Sequence, residues 1–264
     1  MKNFFSHDPK LLFYGFLIVF FASYGQTFFI SLFNIEIRNQ YNLTDGQFGL
    51  VYAIATTLSS LLLVVFAKLI DHIDLRLYSF IVSAGIFLAC LGMFFFIKNI
   101  LFLFLIIFAL RFFGQGAMSH AGETTMARYF GKNRGKAISI ATLGGMSGVM
   151  FLPIIVINLM HTYTINQVWL IASFTIVFFI PLLFITLSNQ SSRHINFKKK
   201  IVSDPLNKKW RTRDVLKNTK FYTYLPLSIT PSFISTGLMF HQIFIFNQKG
   251  WSMEMLGNGY LLVG

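Results

Sequence analysis

The chain has 264 residues, of which 55% are hydrophobic, 17% aromatic and only 12% charged, about half the charged share of a soluble domain. That is too little charge to coat a water-exposed surface, so an ordinary soluble enzyme or binding module is excluded and the bilayer becomes the solvent. The net charge of +13 comes largely from basic residues gathered between apolar runs, ten of them from Arg193 to Lys220, a placement that suits anionic lipid headgroups and argues against nucleic acid as a partner.

Lys2 and Lys10 precede the first uncharged run, Leu11 to Phe33, which is too long for a secretory signal core and is followed by further runs. These are Gly46 to Ala67, Leu77 to Ile97, Leu101 to about Gly122, Ala137 to about Leu159, Val168 to Leu187 and Phe221 to Asn247, giving seven predicted transmembrane helices. An eighth begins near Ser252 and is still running at Gly264, so the chain reads as a fragment that stops inside this helix. The runs are continuous rather than alternating, which favours an all-α membrane protein over a β-barrel. Thr44 with Gln47 predicts a capping box at the second helix, and Ser252 a cap at the eighth. Pro226 and Pro231 predict a bend in the seventh.

Basic residues then orient the chain. With the N-terminus in the cytoplasm, 18 Lys and Arg lie inside and three, Arg38, Lys98 and Lys249, lie outside. The organisation expected is a six-helix bundle over 1–187, a basic cytoplasmic linker over 188–220 and the first one and a half helices of a second bundle over 221–264. Asn39-Gln40, Thr44, Gly49 and Tyr52 recur 208 residues later as Asn247-Gln248, Ser252, Gly257 and Tyr260, which is what parallel repeats would produce.

Arg111 is the costliest residue to place, because a charge at mid-helix carries a penalty of about 2.5 kcal/mol or more. Two readings fit it: an anchor bonded to a neighbouring helix, or a ligand for an anion in a central cavity. Gln115 lies one turn away, between Gly114 and Gly116, which permit close helix contact. Tyr24, Gln26 and Thr27 place a second polar cluster at comparable depth in the first helix.

His241 and Gln242 follow a Ser/Thr series in the seventh helix, and a lone intramembrane histidine is more often a hydrogen-bonded structural residue than a proton or substrate site. No carboxylate lies deep in a predicted helix, and Glu123 is placed to pair with Arg128. His120 and Glu123 have a metal-compatible spacing but no third ligand, so no metal is expected, and no cofactor motif is present. The one cysteine, Cys90, allows no intrachain disulfide.

The loop from Ala67 to Arg76 resembles the G-x-x-x-D-R-x-G-R signature of the major facilitator superfamily: Asp71 keeps the acid and Arg76 a base, while Ala67, His72 and Asp74 depart from the pattern. Arg111-Phe112-Phe113-Gly114-Gln115-Gly116-Ala117 is similar to the family's fourth-helix segment, an arginine followed by G-x-G. Ala127-Arg128-Tyr129-Phe130 with Arg134-Gly135-Lys136-Ala137 resembles the A-R-W-F-x-x-x-R-G-x-A stretch of prokaryotic organic-anion and monocarboxylate carriers.

The resemblance implies a non-enzymatic, monomeric secondary transporter in the inner membrane of a bacterium. It would move a small organic solute, a monocarboxylate or other organic anion, by alternating access, with protons or a counter-anion as the coupled species. It further implies that Arg111, Gln115, Tyr24, Gln26 and His241 contact the solute and that Asp71, Arg76 and Arg134 serve the gate. A seven-helix receptor or sensor is the rival reading, and a membrane-embedded enzyme a more remote one lacking a catalytic cluster.

Overall fold

The computed structural model describes residue 4, residues 8–195 and residues 212–263; much of the basic linker, 196–211, lies outside the described residues. Among the described residues the structure is helical without strands, the outcome expected where no water can satisfy backbone groups. Among the described residues five helices are long and apolar enough to cross a membrane, and two bent pairs, each counted as one span, raise the number to seven. The spans are Pro9–Tyr41 (bent), Asp45–Asp71, Leu75–Phe95, Ile100–Tyr129, Gly131–Met160, Ile165–Thr186 and Thr219–Lys249 (bent). An eighth helix follows at Met253–Val263.

Caps set the span ends. Asp8 accepts from the Leu11 amide at 3.2 Å, and Asn99 accepts from Leu101 and Phe102 at 2.8 and 3.3 Å. Thr44 and Gln47 form the expected capping box, and Thr164 with Gln167 forms a second one that sequence reading passed over. Ser252 caps the eighth helix through the Met255 amide at 3.1 Å. Each satisfies amides that the helix geometry leaves orphaned.

Side-chain ties define two faces. On one, here the terminal face, Arg193 holds Asp8 at 2.5 and 2.7 Å. On the same face Arg76 donates to the Leu187 and Ser188 carbonyls at 3.0 and 3.2 Å and to Ser191 Oγ at 3.3 Å, and Arg128 pairs with Asp71. On the other, the distal face, Asn166 donates to the Phe94 carbonyl at 2.7 Å and Arg38 pairs with Asp45 at 3.2 Å. The first six spans form one packed unit around Tyr14, Tyr78, Phe29, Phe33 and Trp169, all fully buried.

Span seven joins this unit only from its middle to its distal end. Every residue from Tyr222 to Ser235 is exposed, whereas Phe240 is buried, stacked on Phe48 at 5.6 Å and against Tyr52 at 4.9 Å. The eighth helix packs on the fifth span, where Gly257 lets it approach Ile154 and Ile157.

Two features differ from the sequence reading. The first span does not end at Phe33: it breaks at Ser23–Gln26, bends by 44° and runs on to Tyr41. Glu36 therefore lies inside a span, half-buried, with Oε2 lacking a partner among the described residues. The bend of span seven, 55°, falls at His241 rather than at either proline. Pro226 and Pro231 sit within the continuous helix Thr219–Phe240, on the stretch where no neighbouring helix presses against them.

Candidate functional site

The fourth span changes from α to π geometry over Leu110–Met118, a widening that is frequent at functional sites. Arg111, Gly114, Gln115 and Gly116 all lie in it. Gly114 sits against Gly25 of the first span so closely that a Cβ on Gly25 would lie 2.0 Å from the Leu110 carbonyl oxygen. Only glycine allows that approach, and it brings the broken stretch of the first span within reach of Arg111.

Arg111 is 5% exposed. Its Nη1 donates to the Gly25 carbonyl at 3.0 Å and to Thr27 Oγ1 at 3.2 Å. Tyr52 donates to the same Thr27 oxygen at 2.9 Å, and its ring lies 5.3 Å from the guanidinium carbon, close enough for a cation–π contact. The break frees the Gly25 carbonyl from the helical ladder, and the buried cation supplies its donor. Nε of Arg111 and Oε1 of Gln115 are buried without partners among the described residues.

Both residues line a cavity of about 1080 Å³ between spans two, four and seven. Tyr52, Thr56, Thr57 and Ser60 come from span two, and Ser228, Ser232 and Thr236 from span seven. A second cavity of about 280 Å³ joins Gln26, Thr27 and Gln115 to Ser232, Ser235 and Thr236. Hydroxyls and amides around one buried cation form a site for a small polar solute.

The site residues expected from the sequence part company here. Arg111, Gln115 and Gln26 come together at the cavities. Tyr24 does not: it is buried with its hydroxyl 2.7 Å from Thr175 Oγ1 of the sixth span, and it lines neither cavity. His241 lines the larger cavity together with Asp45, at the distal end. Asp71 and Arg76 each tie helix ends together, but to Arg128 and to the end of the sixth span respectively, not to each other. Arg134 begins the α-helical part of the fifth span with its side chain exposed. Arg128 pairs with Asp71, the last residue of span two. His120 lies 3.3 Å from Thr124 Oγ1 on its own helix.

Sequence reasoning missed the distal clasp. Gln242 is buried at the break of span seven, donating to the Phe28 carbonyl at 3.1 Å and Ser31 Oγ at 2.7 Å, and accepting from Tyr260 of the eighth helix. Asn34 reciprocates, donating to the Phe240 carbonyl at 3.4 Å. The signal available was an amide on each apolar helix, Asn34 and Gln242, which hydrocarbon tolerates only when bonded.

A bundle of membrane-length helices, the first broken near its middle and the seventh nearer its distal end, around a polar cavity, defines a multi-pass membrane protein. The Major Facilitator Superfamily model matches residues 15–264, and the chain belongs to that superfamily, a family of secondary transporters for small solutes. No curated protein and no solved structure matches the chain.

Proposed function

We propose that this chain moves a small organic anion, with a monocarboxylate as the favoured class, by alternating access. One observation carries the reading: among the described residues Arg111 is the only charged side chain lining the middle of the cavity, and its Nε, like Oε1 of the adjacent Gln115, has no partner there. A carboxylate entering the cavity would complete the guanidinium's fork, while its bonds to Gly25 and Thr27 hold the cation in place. Gln26 and the hydroxyls of span seven would then grade solutes by their polar groups. The amide nitrogen of Gln115 adds a donor beside the cation.

The organisation proposed is a bundle over 1–187, a linker over 188–220 and a part of a second unit over 221–264, with the N-terminus and the linker in the cytoplasm. The excess of basic residues on the terminal face supports this orientation. In that frame the distal face is extracellular, and the clasp around Gln242 closes it.

The test is uptake of labelled monocarboxylates into proteoliposomes by the protein and by its Arg111→Lys, Arg111→Ala and Gln115→Leu variants. Uptake is expected to fall at least about tenfold in Arg111→Ala. It should fall less in Arg111→Lys, which keeps charge but loses the fork. Undiminished uptake in Arg111→Ala would remove the anion-ligand role.

A further inference from the structure

A hydroxyl group has one proton to give and two lone pairs to fill. Within a helix it often gives that proton to a carbonyl of the preceding turn. Thr57 and Ser60 line the larger cavity, yet they donate to the Ala53 and Thr56 carbonyls of their own helix at 2.8 and 3.0 Å. Hydroxyls so engaged have no proton left for a solute.

Thr27 differs. Its Oγ1 accepts from Arg111 Nη1 at 3.2 Å and from the Tyr52 hydroxyl at 2.9 Å, which fills both lone pairs and leaves the proton to be placed. The break in the first span takes away the usual acceptor. Thr27 is the first residue of the short helix Thr27–Ile30, so no turn of that helix precedes it, and Gln26 before it is extended, with ψ of 153°. The Ser23 carbonyl, four residues back, already accepts from the Gln26 amide at 3.0 Å. Among the described residues no acceptor takes the Thr27 proton.

The cavities set where that proton can go. Thr27 lines the smaller one with Gln26 and Gln115, and Arg111 lines the larger. Gln115 lines both, so the two spaces meet beside it. Thr27 is 5% exposed and is held from two sides, so its oxygen is fixed before any solute arrives. Ser232 and Ser235 of span seven line the same small cavity but are exposed, with no side-chain partner among the described residues. Because the Thr27 oxygen lies only 3.2 Å from the guanidinium, a carboxylate seated on Arg111 leaves Thr27 facing the neighbouring carbon of the solute.

We propose that Thr27 is a specificity-determining residue of the solute site: its hydroxyl donates to an acceptor oxygen carried beside the carboxylate, so that oxo acids are selected over alkyl acids of the same length. The inference rests on the anion reading of Arg111 and adds a second recognised group to it. An alkyl acid leaves the Thr27 proton without an acceptor, and a site that hydrogen-bonds one group rejects the analogue lacking it. One neutral hydrogen bond sets a preference of about three- to tenfold.

The test is uptake of labelled 2-oxobutanoate and butanoate into proteoliposomes at neutral pH, where both acids are ionised, with passive entry into protein-free liposomes subtracted. Each is measured as kcat/KM for the protein and for its Thr27→Val, Thr27→Ser and Tyr52→Phe variants. The ratio of two solutes in one preparation does not depend on how much of the protein is folded, so it separates recognition from stability. Wild-type protein is expected to favour 2-oxobutanoate by about three- to tenfold. Thr27→Val, which keeps the shape without the hydroxyl, should bring the ratio to about one, and Thr27→Ser should restore it. Tyr52→Phe disturbs the same oxygen from the other side but leaves Thr27 its proton, so the preference should survive there.

A wild-type ratio near unity, a preference that persists in Thr27→Val, or an equal loss in Tyr52→Phe overturns the Thr27 assignment and leaves Arg111 as the anion ligand. Undiminished uptake of both acids by Arg111→Ala, or no uptake of either by wild-type protein, overturns the anion reading and this assignment with it.

Discussion

The two broken spans solve the same backbone problem by different means. In the first, the break at Ser23–Gln26 is pressed against the fourth span by the Gly25–Gly114 contact, and its loose carbonyl takes a charge-assisted bond from the buried Arg111. In the seventh, the break falls at an exposed histidine and is clasped by neutral amides, Gln242 on Phe28 and Ser31 and Asn34 on Phe240. A backbone-to-backbone contact locked by a cation has no second arrangement nearby. Neutral amide bonds lose little when they exchange for water, because each is worth about 1 kcal/mol net. The first break is thus locked into the six-span unit, and the seventh is held by weaker bonds.

The sharpest way to break this contrast is Gly25→Ala. Its new Cβ would lie 2.0 Å from the Leu110 carbonyl oxygen, so the unfolding free energy in detergent should fall by about 3 kcal/mol. A wild-type melting temperature would show that the helices are not locked there. Arg111→Ala strands the Gly25 carbonyl and should cost about 2 kcal/mol in the same assay.

Gln242→Leu should cost less in unfolding, about 1 kcal/mol, and act mainly at the seventh-span break. It is expected to raise maleimide labelling of a cysteine placed at Ser31, buried under the clasp; unchanged labelling would mean that the apolar stack of Phe240 on Phe48 holds the face closed. Thr44→Ala removes the cap of the second span for about 1 kcal/mol. Gly46→Ala, where a Cβ meets open space, should change stability by no more than about 0.5 kcal/mol.

Much of the scaffold was legible because hydrocarbon leaves a chain few choices. Uncharged runs of membrane length become helices, and Thr44-Gln47 and Ser252 mark their starts through chemistry local to a few residues. The end of the first span was not legible, because Asn34 and Glu36 look like interface residues until the bend shows the helix continuing to Tyr41. The bend of span seven was misplaced for a related reason. A proline removes one donor wherever it stands, but the helix bends where neighbours pull on it, at His241 between the Phe240 stack and the Gln242 clasp.

In the site, residue type and spacing were enough to show that Arg111 needed a partner and that Gln115 shared its face. Side-chain type and spacing along one helix decide those matters. It took the packing of the helices to show that the partner is the Gly25 carbonyl, that Tyr24 turns to Thr175, that Asp71 meets Arg128, and that two histidines face carboxylates at the distal end. A backbone carbonyl has no residue identity to read. Which way a side chain faces depends on how each helix is rotated against the next, here set by glycine contacts between residues far apart in the chain.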